Sequence, residues 1–278
     1  MFRERAQRRP HRPFTSPADI ARVCTQRALV AIALLGAVCA VPAASADESD
    51  TPHRDARAVE IAERSRDAMG GAALEATRFL RFNFFGARTH HWDRSTGRHR
   101  LEGTSRDGQS YVVVQDLDDR TGHVWIDGEA ADEATTAEWL ERAHGAWIND
   151  TYWLLMPAKL LDPGVHLVAE GREEIDGKSY DKVKLTFDQV GLTPGDTYWA
   201  WFDTETGLMH QWAYHLQSWE AEREPTRWLW LDWQPYGDVV LSSVRRMVDD
   251  GSERMLSDIA VFEHLDDALF TDPAPASE

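Results

Sequence analysis

The chain is poor in cysteine: 278 residues contain two, Cys24 and Cys39, and both fall within the first 46 positions. Beyond that leader no thiol remains, which excludes a disulfide-stapled scaffold and a cysteine nucleophile. Basic residues are also scarce, with 30 Lys and Arg against 47 Asp and Glu and a formal net charge of −17. A polyanionic partner, nucleic acid or an anionic lipid surface, would be repelled unless a local basic patch overrode that field, and no such cluster is visible. There is no glycine-rich phosphate loop, no serine nucleophile elbow and no zincin helix. The reading is therefore of a protein without a recognisable catalytic motif and without an expected cofactor. Long apolar runs are lacking too, with one exception near the start.

That exception is "ALVAIALLGAVCAVPAA" from Ala28, preceded by seven arginines and two acids and followed by Ala44-Ser45-Ala46 and then "DESD". A charged region, a short apolar core and small residues before an acidic stretch make a secretory signal peptide over residues 1–46, with cleavage after Ala46. The apolar core, about 13 to 17 residues, is short for a membrane span, so no stable span is expected after cleavage. An uncleaved anchor would leave the same domain outside the cytoplasm. Val38 ahead of Cys39 fits lipoprotein processing poorly. Removing the leader's charges leaves 23 basic and 45 acidic residues, so the exported product is strongly acidic.

Residues 47–54 read as a polar, disordered leader, residues 55–264 as one domain and residues 265–278 as a flexible tail. Ala58, Ile61, Ala62, Ser65 and Met69 recur at helical spacing, and Gly70-Gly71 ends that helix. Short β-like runs follow, punctuated by "RSTG", "RDGQ", "DDRTG" and Asp127-Gly128 in the manner of an antiparallel meander. From Thr135 to Leu161 the period becomes helical, and Pro163 and Gly164 are expected to stop it. Strands then resume to Phe262, giving about ten or eleven in all. In "TRWLWLDW" one face carries Arg227, Leu229, Leu231 and Trp233, and the other carries Thr226, Trp228, Trp230 and Asp232. Both faces are apolar, unlike a sheet with one wet side. Something must cover each, and the helical segment is the natural cover for one. All twelve tryptophans lie beyond the leader. Most are core filling, whereas Trp139, Trp147, Trp153 and Trp219 are candidates for a ligand wall or partner surface.

The stretches "HHWDRSTGRHRLEG", "WINDTYWLLMPAKLLDPG" and "FDQVGLTPGDTYWAWFD" resemble those of the Lol-type (LolA/LolB-like) lipoprotein-carrier superfamily, in particular a branch labelled outer-membrane lipoprotein-sorting-like. The likeness spans residues 55 to 262. It implies a mainly antiparallel β fold with helices (α+β), an incomplete, half-open β-barrel whose concave face is covered by an N-terminal helix and a mid-chain helical lid. It further implies an apolar cavity for acyl chains.

Several constellations could carry chemistry. His90, His91, Asp93 and His99 lie close in sequence, but their spacing matches no recognised metal-ligand pattern, and the bland alternative is solvated histidines with Asp93 bonded in a turn. Asp93, Arg98, Arg100 and Glu102 read as a cross-strand charge ladder. If Arg100 and Glu102 line the cavity, they would instead grip a polar head group. Asn149 and Asp150 interrupt an apolar helix, where a carboxylate must find donors. The expectation is that they bond backbone N–H groups at a bend in the lid. Trp139, Trp147, Tyr152, Trp153, Leu155 and Met156 are expected to line the ligand site. The function that follows is binding of an apolar ligand, a lipid or lipoprotein acyl chain, in a periplasmic or secreted protein. The rival readings are a hydrolase using Asp93 and Glu102, and a carbohydrate-binding module using exposed tryptophans.

Overall fold

The computed structural model describes residues 52–274. The expected signal peptide, both cysteines and the last four residues lie outside the described residues. The first described residues lie on the sheet: His53 to Asp55 pair with Leu167 through Asp55 N to Leu167 O at 3.1 Å and Leu167 N to His53 O at 2.9 Å. The last part of the expected disordered leader is thus an edge pairing. Helix α1 (Ala56–Ala68) starts at Asp55, whose carboxylate accepts from Ala58 N, and buries Ala58, Ile61, Ala62 and Ser65. Such a cap satisfies an otherwise orphaned N–H. Gly70 ends the helix at a φ of +117°, where an added Cβ would stand 2.6 Å from Asp238 O. Only glycine fits there.

A short α2 (Ala72–Ala76) leads into a meander of β1 (Phe79–Phe84), β2 (Arg88–Asp93), β3 (Arg98–Thr104), β4 (Ser110–Asp116), β5 (Gly122–Ile126) and the two-residue β6 (Glu129–Ala130). Then comes α3 (Glu133–Leu155), capped by Asp132 and continued by a 3-10 turn (Met156–Ala158). The α-helix ends at Leu155, six residues before the expected Leu161; Met156 keeps helical angles and Pro157, which has no N–H to donate, continues the chain in the 3-10 turn. The second meander comprises β7 (Val165–Ile175), β8 (Lys178–Phe187), β9 (Thr197–Asp203), β10 (Met209–His215), β11 (Thr226–Tyr236), β12 (Val239–Met247) and β13 (Glu253–Phe262).

All strands join one sheet, ordered β6-β5-β4-β3-β2-β1-β13-β12-β11-β10-β9-β8-β7. The pairing of β1 with β13, Phe79 opposite Phe262, welds the two meanders together. Its ends, β6 and β7, do not pair with each other, so the sheet is an open half-barrel of 13 strands. The count exceeds the sequence expectation partly because β6 is only two residues long.

The inner face is the one that α1 and α3 cover. Across the first meander it carries the directly paired row Phe82, His90, Leu101, Val113 and Val124. Across the second it carries Val183, Ala200, Trp212, Trp228 and Met247. Alternation placed Trp233 opposite Trp230. In the structure Asp232 adopts φ +57°, and Trp233 stacks on Trp230 at 6.1 Å and donates to Met209 O at 3.0 Å. One residue out of strand conformation is enough to undo a period of two.

The outer face has its own cover. Phe270, in a 3-10 turn (Asp267–Phe270), packs on Phe79, Val112 and Val114. The tail expected to be flexible is docked as far as Ala274, whose carbonyl accepts from Arg100. Among the described residues no helix is long and apolar enough to cross a membrane.

Candidate functional site

Helix α3 lies across the inner face from β5 to β12. Trp139, Ala143, Trp147, Asp150 and Leu154 follow one another at spacings of three and four, so they form a single stripe on the sheet side. Trp139 packs on Tyr111 at 4.7 Å and Trp147 on Trp92 at 5.3 Å, edge to face. Below Leu140, Gly122 is required, since a Cβ would strike the backbone of Val114 and Gln115. At its C-terminal end the helix is surrounded. Leu154 and Leu155 enter a core with Leu80, Phe82 and Leu241, while Met156 joins Ile61, Leu167 and Trp230.

Tyr152 and Trp153 enter an aromatic cluster on strands β9 to β11. Tyr152 lies 5.8 Å from both Tyr198 and Trp212, and Trp153 lies 4.9 Å from Trp212 and 5.4 Å from Trp228. Tyr214 and Trp230 extend the same surface, at 5.6 and 6.0 Å from Trp212. Geometries of this kind add about 0.5–1.5 kcal/mol per pair beyond the area buried. Burial pushes the Tyr152 hydroxyl well above its ordinary range, and Tyr198 shifts in the same direction. Both phenols are neutral at any physiological pH.

Halfway along α3 sits a buried polar chain. Asp150 is fully buried and accepts from Arg88 at 2.6 and 2.7 Å, from His90 Nε2 at 2.8 Å and from Asn149 at 2.9 Å. His90 Nδ1 is 3.0 Å from His99 Nε2, and Gln115 Nε2 is 2.9 Å from His99 Nδ1. The carboxylate can only accept and the amide nitrogen can only donate. Donors therefore run one way, from Gln115 through His99 and His90 to Asp150, with each imidazole neutral. The reverse amide orientation would require both nitrogens of His90 to be protonated, a cation that burial opposes. Burial lowers the pKa of both histidines, and the Asp150 bond only partly offsets this at His90. Burial pushes the Asp150 carboxyl up, but the bonds from His90 and Arg88 outweigh it and hold the carboxyl below its usual range.

This corrects the expected lid bend. The helix runs unbroken through Asn149 and Asp150. Asp150 finds its donors on β2, not on backbone N–H groups, so no break is needed. Arg100 and Glu102 are displaced as well. They lie on the outer face, where Arg100 donates to Glu102 at 2.8 and 2.9 Å and to the carbonyls of Leu269, Asp272 and Ala274. Strand alternation sends them away from α3, so they hold the C-terminal segment, not a ligand. Asp93 also faces outward, accepting from Arg78, Ser95 and Arg98; these bonds overcome its burial and hold its carboxyl far below the usual range. Asp93 and Glu102 are thus arginine-paired carboxylates, which does not suit an acid and base sharing a cleft. Every tryptophan among the described residues is buried or half-buried, so no open row of indoles is available to stack on sugar.

Arg245 went unnoticed in the sequence. Fully buried on β12 and directly paired with Trp230, it lays its guanidinium 3.4 Å from that ring. It donates to Trp153 O at 2.6 Å and to Ser242 Oγ at 2.7 Å. The Trp153 carbonyl is one of the orphaned acceptors at the end of α3, where a helix carries partial negative charge. A signal was present: Val239, Leu241, Ser243, Arg245 and Met247 alternate along β12, putting an arginine in a row that is apolar apart from Ser243.

An open antiparallel sheet with a helix laid along its inner face defines the class of this chain: an open antiparallel half-barrel. No family model and no curated protein matches it. Among solved structures it is similar to a DUF1329 family protein from Desulfovibrio piger, at 12% identity and TM-score 0.43, over 77% of this chain and 96% of that one. It is also similar to a putative outer membrane lipoprotein-sorting protein domain from Vibrio parahaemolyticus, at 10% identity and TM-score 0.40, covering 77% and 96%. A LolA superfamily protein from Nitrosomonas europaea follows at 11% identity and TM-score 0.38, covering 77% and 97%. At these identities and TM-scores nothing of those proteins' ligands carries over to this chain.

Proposed function

We propose that the chain is an exported, non-enzymatic protein that holds an apolar ligand, a lipid or a lipoprotein acyl chain, on the inner face with the C-terminal half of α3 as its cover. The observation that carries this reading is the insertion of Tyr152 and Trp153 into the aromatic surface of Tyr198, Trp212, Tyr214 and Trp228. That surface is far too apolar to face water. Its cover comes from one helix whose polar attachments to the sheet are Asp150 and the Trp153 carbonyl.

Magnitudes favour exchange. Aromatic side chains bury about 150–250 Å² each, so withdrawing Tyr152 and Trp153 would cost about 8–12 kcal/mol at about 25 cal/mol per Å². A sixteen-carbon chain at about 0.8 kcal/mol per methylene would return about 12 kcal/mol. A guest of that length would thus offset the loss of these two rings, the cost of freeing Leu154, Met156 and Asp150 being additional.

Native mass spectrometry of the protein isolated from the producing cell tests the reading. A lipid-sized adduct that disappears on denaturation is expected. Protein free of adduct that also leaves the emission of a hydrophobic dye unchanged would refute it.

A further inference from the structure

Several donors buried beside the Trp153 end of α3 lack an acceptor among the described residues. Arg245 bonds the carbonyls of Trp153, Ser242 and Val244 and the Ser242 hydroxyl, all neutral groups, and its Nε has no partner among the described residues. The indole N–H groups of Trp212 and Trp230 are likewise buried and unpartnered. Guanidinium and indole nitrogens donate and never accept. Three buried donors, one of them on a cation, thus stay unpaired within a surface otherwise made of rings.

A second arginine marks a way in. Arg254 pairs directly with Arg245 across the β12–β13 ladder and is half-buried, its guanidinium 5.8 Å from the Trp228 ring and 5.7 Å from Phe85. It helps to line a groove of about 540 Å³ with Phe85, Ser252, Met255 and Glu253, whose carboxylate is already paired with Arg246. Phe85 in turn meets Trp153 edge to face at 5.5 Å. In a chain of net charge −17, two arginines on one apolar face select for an anion that the rest of the surface repels.

We propose that the guest is a long-chain carboxylic acid, its carboxylate received by the buried guanidinium of Arg245 and its chain lying on Trp212, Trp228 and Trp230. This deepens the apolar-ligand reading above and rests on it. A carboxylate is planar, accepts only, and matches a guanidinium edge with two parallel bonds. It would supply Arg245 with the counter-charge its protein neighbours lack, and the Arg254 groove would admit it at the end of α3. Burial pushes the Arg245 guanidinium well below its ordinary range, as expected of a cation held among neutral groups.

The test is displacement of a fluorescent fatty acid, cis-parinarate, from delipidated full-length protein by oleate, methyl oleate and oleoyl lysophosphatidate, repeated with Arg245→Met and Arg254→Gln. Oleate should bind at least about tenfold tighter than its methyl ester, a difference charge-assisted hydrogen bonds readily supply. Arg245→Met should reduce that preference to about twofold, and Arg254→Gln should weaken oleate several-fold. A neutral residue of similar length at a buried arginine is often tolerated, and a thermal melt checks the fold. If Arg245→Met does not fold, Arg245→Lys decides, because loss of the planar fork should cut the preference several-fold. Equal binding of acid and ester by the wild type overturns the carboxylate proposal but leaves the apolar site standing. Lysophosphatidate binding tighter than oleate overturns the head-group assignment. A preference that survives in the folded Arg245 variant also refutes it. Failure of all three lipids to displace the probe removes the inner-face reading itself.

Discussion

Asp150→Asn is the most informative perturbation of the cover. The carboxylate is fully buried and accepts four bonds, two from Arg88, one from His90 and one from Asn149. Asparagine keeps the shape but removes the charge and turns an N–H₂ toward donors. Arg88, whose side chain is 18% exposed, then keeps a guanidinium against protein without a counter-ion. Breaking a buried pair on one side costs about 3–5 kcal/mol, because an uncompensated charge remains. For a domain of this size 1 kcal/mol moves Tm by about 2–4 °C, so the melt should fall by on the order of 10 °C. Circular dichroism melts of the wild type, Asp150→Asn, Arg88→Met and the double variant form a cycle, whose coupling should reach at least about 2 kcal/mol. Hydrogen exchange should locate the loss in α3. A drop below about 2 °C, or additive single variants, would show that the pair does not fasten the helix.

Three further outcomes follow from the same structure. Stability should fall as the pH drops below about 6.5, because unfolded histidines take up protons that His90 and His99 refuse when folded. Each contributes up to about 1.4 kcal/mol per pH unit below that point until its own lowered folded value is reached. The depressed carboxyl of Asp150 stabilises throughout that window and does not offset the loss; Arg88 and Tyr111 also face this chain and do not titrate there. Denaturant midpoints that stay flat over the window would contradict the neutral assignment. Phe270→Ala should cost about 3 kcal/mol by emptying the outer-face contact with Phe79 and Val114, and chemical denaturation would show it. Gly122→Ala should cost about 2 kcal/mol or more, because its Cβ meets the Val114 backbone on one side and Leu140 on the other. A melt within 1 °C of wild type would refute that close approach.

What could be read from the sequence followed the strength of local signals. The helix ending at Gly70, the two meanders and the α3 segment came from periods of 3.6 and 2 and from turn residues, which are local properties. Asp150 was recognised as a polar interruption, and its place in the stripe with Trp147 and Leu154 could have marked it as inward-facing. Its partner Arg88 lies 62 residues away, and no local signal joins the two. The structure puts His99 beside His90 on the inner face and leaves His91, Asp93 and Arg100 on the outer one; which side was inner depended on where α3 would lie. Trp233 was misplaced by one positive φ at Asp232, and the docked tail was hidden because Phe270 stands among acids. Arg245 stands out in the alternation of β12, although an arginine there also reads as an ordinary edge charge.

The most direct test of the inner face as a ligand site is contact quenching of tryptophan by 9,10-dibromostearate. Trp153, Trp212, Trp228 and Trp230 lie within one aromatic cluster, so an acyl chain laid among them should quench a large part of the emission at stoichiometric ligand. Unbrominated stearate should compete the quenching away. Saturable binding by calorimetry with emission unchanged would place the ligand elsewhere on the molecule and contradict the site.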